Sequence, residues 1–298
     1  MKKTGIRSVM LALALLLSGS VASGDTLLAQ ESVPTSSESQ AIKAKVGKQN
    51  IYRDSGKIIG GQRTDGKDLY SIRFGKHETF ERLVISIHEW VMDEKGVSKG
   101  GPPAAIPCSF EVTYEEYPCR LVFDFEGVRW SSATFPKFPG SDYIIGIHSI
   151  FAHSWGNDRF AVILKKPIKY EVFELHNPAK IVVDIKEENK SVHQFPPVYS
   201  LRTKSSDNSS GDLRDIEEKI IGLKYEEGGG DDWGRKEVLP KGKKVRILQS
   251  RDNKLFIEEG YYKTKQEALK RQKSFAKEGI TLFIEKRKMD EIPKVIQN

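Results

Sequence analysis

The residues of this chain best suited to chemistry are two cysteines and six histidines. Cys108 and Cys119 have ten residues between them, a spacing that in an exported chain is typical of a disulfide. Closing such a loop would contribute on the order of 3 kcal/mol by restricting the unfolded chain. Two free thiols are the alternative. A zinc site is not indicated, because no histidine or further cysteine stands at ligand spacing.

The histidines and carboxylates form no catalytic motif. The histidines are His77, His88, His148, His153, His176 and His193. None lies in an H-E-x-x-H motif, and the chain has no G-x-S-x-G elbow and no P-loop. His148 and His153, with Asp158, come nearest to a metal cluster, but surface or turn histidines are the simpler interpretation. Glu115–Glu116 and Asp124 could pair as in glycosidases, although solvated charge is simpler. The sequence therefore predicts a non-enzyme without metal or cofactor.

The N-terminus carries the features of an export signal. Met1–Arg7 is basic, Val9–Leu17 is an apolar run too short to span a bilayer, and Ser18–Gly24 is rich in small residues. This pattern predicts a secretory signal peptide over residues 1–24, with an uncleaved anchor as the alternative. The cleavage region contains no cysteine, so a lipoprotein is not expected. After signal cleavage, we expect a secreted protein without a transmembrane segment.

Charge is distributed unevenly along the chain. The whole sequence has a net charge of +7, and the last 58 residues, Lys241–Asn298, hold 16 basic and 8 acidic residues. A C-terminal unit with this excess of positive charge is expected to bind an anionic surface. A solvated, lysine-rich helix face is the alternative interpretation.

Short strands dominate the middle of the chain. Residues 25–66 are polar and lack a sustained apolar period, which predicts a flexible tether. Within residues 67–187, Leu83–Ile87 and Leu121–Phe125 alternate apolar and other residues, and turn residues separate such segments. The pattern predicts a mainly β fold, an antiparallel sandwich or barrel.

A predicted hairpin near the end of this region carries a family resemblance. In Tyr170–Lys186, two strands flank a turn at Asn177–Pro178. The segment resembles the closing hairpin of the AMIN family of bacterial envelope modules, roughly Y-x-V-F-x-L-x-N-P-x-[RK]-[IL]-V-V-D-[IL]. Ile72–Val84 is similar to the opening of the AMIN-like subgroup, R-x-G-x-H-x-x-[FY]-[DE]-R-[VL]-V. The resemblance implies an antiparallel β-sandwich over residues 67–187, although the insert between the two cysteines departs from the pattern.

A linker and a small C-terminal unit are predicted to follow. Residues 188–239 are polar and rich in Gly and Ser, with one amphipathic patch at Leu213–Leu223 that predicts a short helix. We expect the modules on either side to behave as independent units. Residues 240–298 predict a β-α-β unit, in which Thr264 and Glu267 form a capping box at the start of the helix. Gly279 is expected to end that helix.

The C-terminal unit also resembles a known family. Phe256–Ala268, followed by Lys277–Ile284, is similar to one half of a SPOR domain, which reads roughly V-Q-x-G-x-F-x-x-x-x-x-A, then a helix, then K-x-G-[YF]. Glu258 stands where that family has Gln. The resemblance implies binding to peptidoglycan stripped of its stem peptides. A complete SPOR fold has two β-α-β halves, so the other half must come from Leu213–Gln249 or be missing.

Together these features predict an exported, non-catalytic protein of the bacterial cell wall. Its expected partners are peptidoglycan or an anionic wall polymer, with other envelope proteins as further candidates and no nucleic acid. Glycans are bound by exposed aromatic rings beside polar groups. The candidate glycan-binding residues are Tyr261, Tyr262 and Lys263 at the strand-to-helix turn, and Trp130, Trp155 and Tyr143 on loops of the sandwich. A cell-wall hydrolase and a regulatory protein–protein interaction module are the alternatives.

Overall fold

The computed structural model describes residues 41–96, 98–150, 157–188, 195–207, 211–222 and 245–296. Its strands are β1 (Ile42–Lys43), β2 (Lys45–Val46), β3 (Lys57–Gly60), β4 (Lys67–Lys76), β5 (Glu81–Met92), β6 (Ser98–Pro103), β7 (Phe110–Glu115), β8 (Arg120–Glu126), β9 (Val128–Ser131), β10 (Ile144–Ser149), β11 (Asn157–Leu164), β12 (Ile168–Leu175), β13 (Lys180–Glu187), β14 (Val198–Arg202), β15 (Arg246–Gln249), β16 (Leu255–Tyr262) and β17 (Phe283–Arg287). Its helices are α1 (Gly211–Gly222) and α2 (Lys265–Lys277). The prediction of a mainly β fold is confirmed. None of the helices in these ranges is long and apolar enough to cross a membrane.

The first thirteen strands form two sheets that share one apolar core. The six-stranded sheet has the order β1-β3-β7-β8-β11-β10, and the seven-stranded sheet has the order β2-β12-β13-β5-β4-β9 with β6 beside β5. Most neighbouring strands are antiparallel, but β1, β2 and β9 each pair in parallel with their neighbours. Leu83 and Ile85 of β5 and Phe123 of β8 face the core and are buried. The alternation predicted for both strands is therefore present.

The prediction of a flexible tether over residues 25–66 is wrong for its second part, residues 41–66. Strand β1 pairs with Ile58–Ile59 of β3, and β2 pairs with Phe173–Glu174 of β12. Each of these edge strands is only two residues long, so neither has an apolar period that a sequence pattern could reveal. Residues 25–40 and the predicted signal peptide, residues 1–24, lie outside the described residues.

An ion pair joins the two segments on which the AMIN-like resemblance is based. Arg82 of β5 donates to Asp184 of β13 from Nε at 2.5 Å and from Nη2 at 2.8 Å, and Lys48 Nζ lies 2.7 Å from the same carboxylate. Burial alone would raise the pKa of Asp184, but hydrogen bonds from Arg82 and Lys48 outweigh it and hold that pKa below its ordinary value. The turn predicted at Asn177 is also present, with Asn177 at a positive φ of 49°.

A third sheet, the C-terminal sheet, has the order β15-β16-β14-β17. With α1 between β14 and β15, and α2 between β16 and β17, the chain follows a β-α-β-β-α-β path. Strand β14 and helix α1 lie within residues 188–239, so the linker prediction is wrong there except for its short helix. The first β-α-β half is β14-α1-β15, which begins at Val198 and so lies partly before the expected range Leu213–Gln249. The capping box of Thr264 and Glu267 is confirmed.

The C-terminal sheet and its helices cover part of the outer face of the six-stranded sheet. Val122 and Ala161 point away from the shared core, yet both are buried because they join Leu213 and Ile220 of α1 in a second apolar cluster. Arg120, on the same outer face, donates from Nη1 to the carbonyl oxygen of Ile247 at 2.7 Å. All described residues fall within one compact unit, so the expectation of independent modules does not fit this packing.

A buried cluster of charged side chains lies where the C-terminal sheet contacts the six-stranded sheet. The Glu258 carboxylate, which is fully buried, accepts hydrogen bonds from Arg246, Arg287 and Ser200. Both guanidinium groups also reach the β7–β8 turn of the six-stranded sheet. There Arg246 Nη2 lies 2.8 Å, and Arg287 Nη2 2.6 Å, from the carbonyl oxygen of Tyr117. Burial would raise the pKa of Glu258, but the two arginines outweigh it and lower that pKa to about 2.

Glu258→Gln should therefore destabilise the protein and change its pH dependence. Removing one partner of a buried ion pair costs about 3 kcal/mol or more of unfolding free energy at neutral pH, because the arginines stay buried without their counter-charge. A carboxylate with a lowered pKa stabilises the fold above its unfolded pKa, and this contribution is lost as pH falls towards 2. Chemical denaturation at several pH values should show the two proteins converging between about pH 5 and pH 2.

The matched control is Glu218→Gln on α1, where an exposed carboxylate lies 3.3 Å from Arg214 Nε. We expect this variant to change the unfolding free energy by less than about 0.5 kcal/mol. Equal losses in the two variants, or a loss in Glu258→Gln that does not change with pH, would contradict the role given to Glu258.

Candidate functional site

Aromatic side chains gather on the outer face of the seven-stranded sheet. Asp68 of β4 is the direct partner of both Trp130 on β9 and His88 on β5. Residues that are directly opposite on neighbouring strands share a face, so Trp130 and His88 flank Asp68 on the same side. Two strand spacings separate their Cα atoms by roughly 10 Å.

Tyr70 completes this surface. The pairing of β4 with β5 is irregular between Leu69 and Ser71, and the extra residue, Tyr70, is 41% exposed. Its ring stacks on His88 with centroids 3.7 Å apart and planes 10° apart. Trp130 is 52% exposed. We call Tyr70, His88 and Trp130 the aromatic platform.

The surrounding residues hold the platform in place. Ser132, which follows β9, donates from its backbone N and from Oγ to the Asp68 carboxylate at 2.9 and 2.7 Å. His88 Nδ1 lies 2.8 Å from the carbonyl oxygen of Gly101. Since a carbonyl can only accept, Nδ1 is the donor, and in the neutral ring Nε2 is left as an acceptor. A Cβ on Gly100 would lie 2.9 Å from Tyr70, so this glycine leaves room for the tyrosine ring.

Such a surface can bind a sugar polymer. The face of an aromatic ring packs against the apolar C–H face of a pyranose, and neighbouring polar groups bond its hydroxyls. The rings lie on an open sheet face, and contacts within the sheet hold Tyr70 and His88, so these two need little ordering on binding. Sequence inspection missed Tyr70 and His88 as ligand-binding residues. The alternation Leu83–Ile87 already placed His88 on the face opposite the core, which was the available signal.

The other candidates from the sandwich contribute less. Trp130 is exposed, as stacking requires. Tyr143 is partly buried against the core, with Lys166 Nζ 5.2 Å from its ring centroid. Trp155 lies outside the described residues.

The candidates at the strand-to-helix turn lie apart from the platform. Tyr262 is only 6% exposed, and its hydroxyl donates to Glu259 Oε2 at 2.6 Å, so its predicted stacking on a glycan is wrong. The cause is an irregularity of β16 beside β14, after which Tyr262 pairs with Tyr199 and points towards the helices. Tyr261 is half-buried, 5.2 Å from the Tyr117 ring. Lys263 is exposed.

The polar groups considered for catalysis either form ion pairs or are buried. Glu115 Oε2 lies 2.7 Å from Arg120, and Asp124 Oδ1 lies 2.6 Å from Arg159, so these carboxylates belong to ion pairs. His148 is buried, and burial followed by the charge of Arg120 lowers its pKa to about 3. Over the described ranges, no three His, Cys, Asp or Glu side chains come together as a metal site would require. His153 and His193 lie outside those ranges.

The predicted disulfide is absent, because Cys108 and Cys119 are both free and buried. The register of β7 with β8 gives the physical reason. Glu115 opposes Arg120 at the turn, so Cys119 lies at the turn end, whereas Cys108 precedes β7 at the far end. At about 3.4 Å per residue, the two ends are far beyond the 4.4–6.8 Å between Cα atoms that a disulfide spans.

The chain was compared with models of known protein families and with curated proteins, and it matches none of either. The resemblances to the AMIN and SPOR families therefore rest on the sequence motifs alone.

Both thiols should react with alkylating reagents only when the protein unfolds. Burial raises the pKa of each thiol to about 12, and a protonated thiol is a poor nucleophile. Mass spectrometry should find no added label on the native protein at neutral pH. In denaturant without reductant it should find two. A denatured, unreduced protein that takes up no label would instead show a disulfide.

Proposed function

We propose that this protein binds a polysaccharide of the bacterial cell envelope without cleaving it, the polysaccharide being peptidoglycan or an associated wall polymer. One observation carries the proposal: the aromatic platform presents Tyr70 and Trp130 to solvent on a sheet face, with His88 stacked on Tyr70 and hydrogen-bonded to the Gly101 carbonyl. Contiguous exposed apolar patches often mark binding surfaces.

The form of the platform favours a polymer over a small metabolite. Small molecules are usually enclosed in a cleft that buries most of their surface. The rings of Tyr70 and Trp130 lie instead on an open face, along which an extended chain can continue in both directions. The predicted export signal and the resemblance to AMIN and SPOR modules support the cell wall as the source of that chain.

The lysines of α2 supply a second, electrostatic contribution. Lys265, Lys270, Lys273 and Lys277 are all exposed. Anionic wall polymers would be attracted to this helix, and the attraction would weaken with salt because the charges are solvated. Stacking on the platform would persist at high salt. The two contributions can therefore be separated experimentally.

Co-sedimentation with purified sacculi at high salt tests the proposal. Trp130→Ala and Tyr70→Ala should each weaken binding about five-fold or more, because each removes a stacking ring. Ile145→Ser is the matched control, since it removes an exposed apolar side chain from β10 on the other sheet. It should bind like the unchanged protein.

Two results would contradict this function. Binding that vanishes at high salt and is insensitive to both aromatic substitutions would leave only a generic polycation. Release of soluble fragments from the sacculi would identify a hydrolase instead.

A further inference from the structure

The part of the six-stranded sheet that the C-terminal unit leaves uncovered has a polar outer face. One row across this face consists of Ile59, Glu111, Asp124 and Arg159, which are direct partners on β3, β7, β8 and β11. The next row contains Glu126 and Asn157, which are also direct partners, and Ser109, whose carbonyl accepts from Glu126 N at 2.9 Å. Charged and polar side chains thus replace the apolar ones that the C-terminal unit covers further along the same strands.

Two neighbouring cavities lie along these rows, and we refer to them together as the groove. One has a volume of about 670 Å³ and reaches Lys43 of β1, and the other has about 540 Å³ and reaches Arg63. Glu126 and Asn157 line both cavities, so the two are adjacent. Each volume falls in the range of pockets that hold small ligands.

The floor of the groove depends on small residues. A Cβ on Gly60 would lie 2.4 Å from the Phe110 ring, and a Cβ on Gly61 would lie 1.8 Å from the carbonyl oxygen of Cys108. Gly61 also has a positive φ of 70°, which favours glycine. In the second cavity, Thr64 Oγ1 is buried without a hydrogen-bond partner in the described structure. A polar atom of a ligand could satisfy it.

The charges in the groove fall into two groups. Asp124 pairs with Arg159 and Asp65 pairs with Arg129, each at 2.6 Å, so these charges already have partners. Three other side chains, Lys43, Glu126 and Arg63, form no ion pair or side-chain hydrogen bond within the ranges that the structure describes. Glu126 lines both cavities, whereas each cation lines only one. The groove therefore offers one unpaired carboxylate and, in each of its two cavities, one unpaired cation.

We propose that this groove binds the peptide stem of peptidoglycan, with the stem ammonium at Glu126 and its carboxylates at Lys43 and Arg63. The inference rests on the proposed function, which supplies the wall as the source of the ligand. Stems that contain diaminopimelate carry a free ammonium and several carboxylates, which complement the three unpaired side chains. The platform and the groove lie on different sheets, so glycan and peptide are recognised at separate sites.

Calorimetric titration with the soluble tripeptide L-alanyl-γ-D-glutamyl-meso-diaminopimelate tests this site. The unchanged protein should bind the peptide, and Glu126→Gln and Arg63→Gln should each weaken binding about five-fold. Acetylating the side-chain amine of diaminopimelate should weaken binding to the unchanged protein by a similar factor. The same acetylation should make little difference to Glu126→Gln, because the partner of the amine is already lost. Glu94→Gln, in the exposed β5–β6 turn, is the control and should bind normally.

The outcomes separate this site from the proposed function. The tripeptide contains no sugar, so its binding does not require Trp130, and a platform variant should bind it normally. Absence of measurable binding, or equal binding by Glu126→Gln and the unchanged protein, would overturn the peptide site while leaving binding to sacculi intact. Equal affinity for the linear peptide L-Ala-L-Glu-L-Lys would also overturn the assignment to wall stems.

Discussion

The buried Glu258 carboxylate is the interaction on which the arrangement of this protein depends. It lies on the C-terminal sheet between Arg246 and Arg287, and both arginines continue to the Tyr117 carbonyl of the β7–β8 turn. Two buried guanidinium groups would be costly without this counter-charge. The carboxylate therefore holds both arginines in the position from which they donate to the six-stranded sheet.

This attachment divides the outer surface of the sandwich. The C-terminal unit covers Val122 and Ala161, which would otherwise expose apolar surface, and the polar half around Glu126 stays open as a groove. The aromatic platform lies on the other sheet, where Trp130 and Tyr70 remain exposed. The two proposed binding surfaces thus use outer faces of different sheets, and the C-terminal unit covers neither of the residue sets that form them.

Local sequence patterns predicted much of the fold, whereas strand register and pairing between distant strands could not be predicted from them. The alternation Leu83–Ile87, the turn at Asn177 and the cap at Thr264 each depend on residues close in sequence. The disulfide prediction failed because strand register places Cys108 at the far end of its hairpin from the turn. Tyr262 was assigned to the surface because the irregularity of β16 that buries it depends on pairing with β14, far away in the chain. Trp130 was a candidate because an aromatic residue was expected on a loop there, although it lies on β9. Tyr70 and His88 become a site only when two strands meet.

Differential scanning calorimetry of the full chain tests most directly whether the sandwich and the C-terminal unit fold as one body. The buried arginines at their contact predict a single transition, with equal calorimetric and van't Hoff enthalpies, because Arg246, Arg287 and Arg120 each lose a hydrogen bond across the contact when either part unfolds. Two resolved transitions, or a calorimetric enthalpy well above the van't Hoff value, would contradict this account and show that the two parts unfold independently.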